Sequence, residues 1–379
     1  MHATPTLVVA GRSARLMAEA AARDGYRVVA LDTYGDADTR RAAARWQAIG
    51  RPGERLDLRL TLDALAAAAR EPGVIGWVAG SDFECEPELL AQGAAVLPLI
   101  GTAPADVRRL REPTSFFATL AGLGLLYPET RLEPPADPRG WLRKLALASG
   151  GWHIRAAADP QPAPAERQPY YQRELAGTPM SALFVADGRG ARLLGCHELI
   201  VRPLGAHPHV WRGAIGPLVR PAARQAAIDA AVQGLAGAFA LRGLASLDFI
   251  DDGERDRLLE VNPRPPASMG LYDAGLMRAH VEACRDGLLP PAPRAPTTLR
   301  GSEIVFARHD VELGSAQAAA LAARADCHDL PAAGSRFAAG DPVCSVSAVG
   351  RDKAAVRETL AAKRQALRAE LTPAATLPR

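Results

Sequence analysis

The chain opens with short apolar runs separated by turn residues and helical stretches. Thr6 to Ala10 (TLVVA) reads as a strand, Gly11 as the turn after it, and SARLMAEAAARDG as a helix. The next apolar run, YRVVALD, ends in Asp32. Strand, glycine turn, helix, strand is one βαβ unit, and it implies a parallel sheet because only a crossover returns the chain in the same direction. LDALAAAAR continues as helix and VIGWVAG as strand, and SDFECEPELLAQ starts a helix near Pro87 and Glu88. The pattern predicts a small doubly wound α/β domain over residues 1–108. No GxGxxG surrounds Gly11, so the phosphate turn of a dinucleotide fold is incomplete. Asp32 is accordingly read as a polar strand terminus rather than a ribose contact.

The texture then changes. Residues 104–130 read as a helix and turn. WLRKLAL is a strand, ASGG a turn and WHIRAA another strand, before the proline-rich loop DPQPAPAERQP. YYQREL and MSALFVADG continue as strands, with Asp187-Gly188 as a hairpin turn and ARLLGCHELI as the returning strand. Pro221 to Phe239 is an amphipathic helix, and GLASLDFIDDGERDRLLEVNPRP reads strand, turn, strand. A second proline-rich run, LLPPAPRAPTT, marks a boundary near 290. Beyond it IVFA and VCSVSAVG are strand-like and Lys353 to Leu371 is a helix. The expected organisation is α/β with α+β lobes: 1–108, 109–290, and a mixed α/β extension over 291–379.

Composition narrows the function classes. The 379 residues are 48% hydrophobic and 23% charged, ordinary for a globular protein, with a net charge of +3. No basic stripe is visible and aromatics are 5%, which argues against nucleic acid as a partner. Cys85, Cys196, Cys284, Cys327 and Cys344 are scattered, with no zinc-type spacing, and fit buried thiols in a reducing cytoplasm. No basic head precedes an apolar stretch, and no run reaches the roughly 20 residues of a membrane span. The expectation is a cytoplasmic protein with no membrane partner.

Chemistry concentrates in SLDFI and LLEVNPRP. Asp248 and Glu260 lie on strand patterns joined by the tight segment DDGERD, so antiparallel pairing brings them together on one sheet face. Asn262, two residues after Glu260, points the same way. Two carboxylates and one amide oxygen form a hard oxygen site of the kind Mg²⁺ prefers, with positions left for phosphate oxygens. With Arg264 beside it, the set resembles the ATP-grasp superfamily, in which an Asp and a Glu-x-Asn on adjacent strands hold magnesium between ATP phosphates.

That resemblance implies further parts. A Lys on a strand before a glycine-rich phosphate loop corresponds to Lys144, followed by ASGGWHIR with Gly150 and Gly151. His153 stands where a small residue is usual. The adenine hinge corresponds to YYQRELAGTPMSA, with Gln172 for the adenine amino group and backbone near Arg173 and Leu175 for the ring edge. Arg264 is implied to stabilise charge on a transferred phosphoryl group or acyl phosphate. One part is missing: many members carry an earlier Lys near LREPTSFFATLAGLGLLYPET, where this chain has Arg111 as the nearest cation.

The resemblance implies an ATP-grasp fold over 109–290 with a lid lobe at about 114–171, and a Rossmann-like pre-ATP-grasp domain before it. It implies ATP and Mg²⁺ as cofactors, with Mn²⁺ as a stand-in, and small-molecule carboxylate and amine substrates; a homodimer is compatible with it. ALDTYGDADTR, SDFECEPELL, YYQREL, GLASLDFI and GDPVCSVSAVG also resemble a methylotroph subgroup tied to tetrahydromethanopterin- or methanofuran-type one-carbon cofactor synthesis, similar to tyramine–glutamate ligase. The implied activity is carboxylate–amine ligation, with a small-molecule kinase or a nucleotide-responsive binding protein as alternatives. Glu198, His207, His209 and Arg212 are candidates to line an acyl pocket.

Overall fold

The structure is a computed structural model and describes residues 4–371. The N-terminal sheet has four parallel strands, β1 (Thr6–Ala10), β2 (Arg27–Asp32), β3 (Arg45–Ala48) and β4 (Val74–Ala79), in the order β3-β2-β1-β4. Helices α1 (Arg15–Arg23), α2 (Ala37–Ala42), α3 (Leu58–Ala69) and α4 (Pro87–Val96) connect and flank them. The strand order reverses between β1 and β4, so a crevice lies beyond their carboxyl ends. Asp32 is fully occupied there. Its carboxylate accepts from the Ala14 N–H at 3.0 Å, the Gly35 N–H at 2.9 Å and the Trp46 indole at 2.7 Å. It is a strand terminus that ties down a loop.

The stretch expected as one helix and turn is two helices, α5 (Pro104–Arg111) and α6 (Pro113–Gly122). Pro113 disfavours helical backbone at Glu112, and the Glu112 carboxylate caps the second helix through the Thr114 and Ser115 N–H groups. A small sheet follows, built of β5 (Thr130–Arg131), β6 (Trp141–Leu145), β7 (Arg155–Ala156) and β8 (Pro169–Arg173) in the order β5-β8-β6-β7. WHIRAA is therefore mostly not strand: only Arg155 and Ala156 pair with β6. Gly150 and Gly151 take φ of +69° and +78°, and the chain after them turns away to lie on a strand of the main sheet.

The main sheet has eight strands. They comprise β9 (Thr178–Asp187), β10 (Ala191–Leu204), β11 (His207–Leu218), β12 (Arg242–Asp251) and β13 (Asp256–Asn262), with α7 (Ala222–Ala238) after β11 and α8 (Leu276–Asp286) after β13. The rest come from the C-terminal segment: β14 (Leu299–Phe306), then β15 (Val311–Glu312), α9 (Ser315–Ala322), β16 (Cys327–His328), β17 (Arg336–Phe337), β18 (Pro342–Gly350) and α10 (Lys353–Leu371). The order is β13-β12-β9-β10-β11-β14-β18-β16, while β15 and β17 pair separately. The segment beyond the second proline-rich run thus extends the main sheet through β14, which pairs with β11.

Strand alternation explains why this sheet is covered on both faces. On β9, Ala182 and Phe184 share a core with α6 and α7, while Leu183 and Val185 share one with α1, α8 and the N-terminal sheet. β11 is a strand that the reading of HELIVRPLGAHPHVWRG missed; β10 and β11 form a long hairpin turning at Gly205-Ala206.

Candidate active site

A cavity of about 420 Å³ opens between the small sheet and the main sheet. Lys144, Gly150, Gly151, Gln172, Arg173, Leu175, Asp248, Glu260, Asn262 and Arg264 all line it. The β12–β13 register creates the acidic part. Asp248 sits directly opposite Glu260, and Ser246 opposite Asn262. Asp248 accepts from the Ser181 hydroxyl at 2.6 Å and from the Asn262 amide nitrogen at 3.2 Å. Withdrawal from bulk water and the neighbouring Glu260 charge push the Asp248 carboxyl above its usual range. The Glu260 carboxyl moves the other way: burial opposes its charge, but Arg111, Lys144 and His153 outweigh that and lower it.

Two carboxylates and an amide side by side suit a hard divalent cation. Among the described residues no group of three or more His, Cys, Asp or Glu could hold a metal unaided. The protein's share of such a site is therefore small, as it is for magnesium whose remaining ligands are phosphate oxygens and water.

The basic part comes from three elements. Lys144, on β6, is buried and donates to the Gln172 side-chain oxygen at 2.7 Å. Burial pulls its amine below the usual lysine range, against the attraction of Glu260 and Asp248. Arg111, the last residue of α5, donates to Glu260 at 3.0 Å and to the Ala148 carbonyl at 2.5 Å. It therefore ties the glycine-rich loop to the acidic strand. Arg264 follows β13 and donates through Nε to Glu84 at 2.7 Å.

The glycine-rich loop rests on β11. The Trp211 N–H donates to the Gly150 carbonyl at 3.1 Å, and the His207 ring donates to the Trp152 carbonyl at 2.8 Å. A Cβ at position 151 would stand 1.9 Å from the His209 carbonyl oxygen, so only glycine fits at the crossing. His153 lines the cavity, and its Nδ1 is buried with no hydrogen-bond partner among the described residues. Burial, helped by Lys144 and Arg111, lowers its pKa to about 4, which keeps the ring neutral.

Gln172 lines the cavity, where its side-chain oxygen accepts from Lys144 at 2.7 Å and its nitrogen donates to Thr130 at 3.1 Å. The acyl-pocket expectation needs correction. Glu198 and Arg212 do not reach the cavity. On β10, Leu199 and Val201 face it, so Glu198 faces the opposite side, where Lys353 and Arg357 pair with it. On β11, His209 and Trp211 face it, and Arg212 is turned to the Phe306 ring on the far side. His207 holds the loop and does not line the cavity. Sequence reasoning missed Ser181 and Glu84 as site residues. The alternation in MSALF carries a signal for Ser181, whereas Glu84 reaches Arg264 across 180 positions of sequence and leaves none.

Residues 115–268 match the ATP-grasp domain family. Solved structures share the fold over nearly the whole chain. Rhizobium etli pyruvate carboxylase aligns at TM-score 0.71 and 15% identity, covering 98% of this chain and 39% of that one. L-amino acid ligase from Bacillus licheniformis aligns at TM-score 0.67 and 14% identity, covering 98% of both chains. N5-carboxyaminoimidazole synthetase from Staphylococcus aureus aligns at 0.67 and 13%, covering 95% of this chain and 97% of that one. This chain thus spans well under half of the pyruvate carboxylase and almost all of the other two. No curated protein sequence matches it. The chain has the ATP-grasp fold and carries an ATP-grasp domain at residues 115–268. No helix among the described residues is long and apolar enough to cross a membrane.

Proposed function

We propose that the chain is an ATP-dependent carboxylate–amine ligase that works through an acyl phosphate. The observation that carries this reading is the pairing of Asp248 with Glu260 in the same cavity as Lys144, the glycine-rich loop and Arg264. In this reading Asp248, Glu260 and Asn262 hold Mg²⁺, or Mn²⁺ in its place, and the metal neutralises charge on the phosphates. Lys144 and the backbone at Gly150 and Gly151 bind the triphosphate. Arg173 and Leu175 present hinge backbone to the adenine, and the Gln172 side-chain oxygen, which also holds Lys144, accepts from the adenine amino group.

The chemistry asked of the protein is positioning and charge stabilisation. A substrate carboxylate oxygen attacks the γ-phosphorus and ADP departs. The acyl phosphate is then attacked at carbon by an amine, which loses a proton as inorganic phosphate leaves. Arg264 supplies the fork for the acyl phosphate oxygens. The small sheet, with its lid lobe at about 114–171, closes over ATP. A likeness in fold to an L-amino acid ligase supports small carboxylate and amine substrates. A place in tetrahydromethanopterin- or methanofuran-type cofactor synthesis rests on the resemblance of ALDTYGDADTR, SDFECEPELL and GDPVCSVSAVG to the methylotroph subgroup.

The test is ADP release from Mg-ATP across a panel of amino acids and other small carboxylates, with hydroxylamine present to trap acyl phosphates. Carboxylate-dependent ADP release with a matching amount of hydroxamate is expected. ADP release with a stable phosphorylated product and no hydroxamate would replace the ligase with a kinase. Nucleotide binding without ADP release on any carboxylate would leave a nucleotide-responsive binding protein.

A further inference from the structure

Arg264 and Glu84 come from different parts of the fold and meet in a solvent-poor seam. Glu84 sits in a short 3₁₀ turn, Phe83–Cys85, just past the carboxyl end of β4. The turn is held from both sides. Asp82 enters it in the left-handed region at φ +81°, with its carboxylate paired to Arg12 at 2.6 Å. Phe83 is fully buried and stands edge-on to Trp77, ring centroids 5.0 Å apart. The Glu84 position is thus set by the N-terminal sheet, and only 2% of its side chain is exposed. Arg264 is set by the main sheet, where its own N–H closes a turn onto the Asn262 carbonyl at 2.9 Å.

The bond between them uses one edge of the guanidinium. Nε donates to Glu84 Oε1 at 2.7 Å, and neither Nη group makes a hydrogen bond to the described residues. The Arg264 side chain also lines the cavity that holds Lys144, Asp248 and Glu260. The second Glu84 oxygen is buried and has no hydrogen-bond partner among the described residues. Leaving a buried carboxylate oxygen unsatisfied is costly, so the pair is a poor stabilising device. Its geometric effect is specific: a charge-assisted bond to Nε fixes the plane of the guanidinium and leaves both Nη groups for a planar or tetrahedral oxyanion.

We propose that Glu84 is the positioning residue of Arg264: the N-terminal sheet aims the guanidinium at the phosphoryl end of the cavity. This rests on the ligase reading for its ligand, an acyl phosphate, and on the structure alone for its geometry. The consequence is that docking of the N-terminal sheet against the ATP-grasp domain sets the phosphate-binding competence of Arg264. Without Glu84 the side chain keeps its charge but loses its direction.

Two measurements test it. The first is the nitrogen-15 NMR signal of the Arg264 Nε–H group in the full-length protein, assigned with Arg264→Lys. A slowly exchanging Nε–H is expected in the wild type and in Glu84→Gln, which keeps an acceptor oxygen, and a fast-exchanging one in Glu84→Ala. The second is the affinity of the Mg-ADP-loaded protein for acetyl phosphate, the smallest stable acyl phosphate. Glu84→Ala should weaken it about tenfold and Glu84→Gln by less, with Mg-ADP affinity unchanged in both, in line with the loss of one charge-assisted bond. If acetyl phosphate affinity is unchanged in Glu84→Ala, or if Mg-ADP affinity falls in step with it, Glu84 is structural and the inference is overturned. Failure of the wild type to bind acetyl phosphate at all would count against the ligase reading instead; the Nε–H signal then decides Glu84 by itself, and an unchanged signal in Glu84→Ala overturns its role.

Discussion

The two ends of the eight-stranded sheet treat buried charge in opposite ways. Toward the far end, under α10, two acids are closed by bases: Glu303 on β14 pairs with Arg364, and Glu198, on the back of the middle strand β10, with Lys353 and Arg357. At the β12–β13 end, charges of both signs are gathered but only partly closed on one another. Asp248 is bonded to a hydroxyl and an amide, Lys144 to an amide, and Arg264 through Nε alone. Among the described residues Arg111 alone pairs with an acid of that set, Glu260, while the partner of Arg264 is Glu84 from the N-terminal sheet. Charges kept apart in a low-dielectric cavity are costly to the fold, and they suit a ligand that itself carries both signs. A metal-bound triphosphate is such a ligand: the cation completes the acids and the phosphates complete the bases.

The largest effect on stability should come from the closed end. Glu303→Ala leaves Arg364 buried without its partner and should cost on the order of 3 kcal/mol of unfolding free energy, measured by denaturant titration. Nucleotide affinity of the folded fraction should not change. A drop in Mg-ATP affinity in this variant would mean that the two ends are not independent.

A neutral buried group sharpens the contrast. His280 accepts from the Leu244 N–H on Nδ1 and donates from Nε2 to the Ile100 carbonyl, and burial lowers its pKa to about 4. Its unfolded value is near 6.5, so the unfolded chain binds a proton first as the pH falls. Its contribution is therefore intact above about pH 6.5 and is lost progressively down to about pH 4. Between pH 7.5 and pH 5 the loss should be about 2 kcal/mol for this one residue. Urea unfolding of wild type and His280→Gln at both values checks it: the variant should show the shallower dependence on pH.

The smallest of these effects belongs to the open end. Lys144→Ala removes a point charge that acts on bound phosphates already in the ground state. Mg-ATP affinity should weaken about tenfold, with little change in unfolding free energy because no acid is left unpaired. A stability loss equal to that of Glu303→Ala would show that Lys144 is part of a closed pair after all.

How much of this was legible in the sequence follows the same division. The β12–β13 hairpin was readable because its partners are close in sequence: period-2 alternation and a short turn fix which residues face each other, and Asp248 does oppose Glu260. Lys144 and the glycine pair were likewise local. Long-range placements were not readable. Nothing in HELIVRPLGAHPHVWRG tells which face of β10 and β11 meets the cavity, so Glu198 and Arg212 were assigned to the wrong side. The joining of β14 to β11 is a pairing across about 85 positions, and the bond of Glu84 to Arg264 spans 180. The strand character of WHIRAA was overestimated because only Arg155 and Ala156 pair with β6, while the Ile154 N–H turns back to the Gly151 carbonyl and the Trp152 carbonyl accepts from the His207 ring.

The central claim is that the paired acids of β12 and β13 serve a magnesium–nucleotide complex, and Glu260→Gln tests it most directly. Nucleotide binding and initial rates of ADP release should be followed as Mg²⁺ is titrated, in wild type and variant, with whichever carboxylate supports release. The substitution keeps the shape and removes one negative charge where the metal is held. Turnover should fall about a hundredfold, on the order of 3 kcal/mol, the magnesium requirement should shift upward, and adenine nucleotide should still bind through the hinge strand. Near-normal turnover with an unchanged magnesium dependence would reduce the β12–β13 pair to an ordinary hairpin and contradict the account.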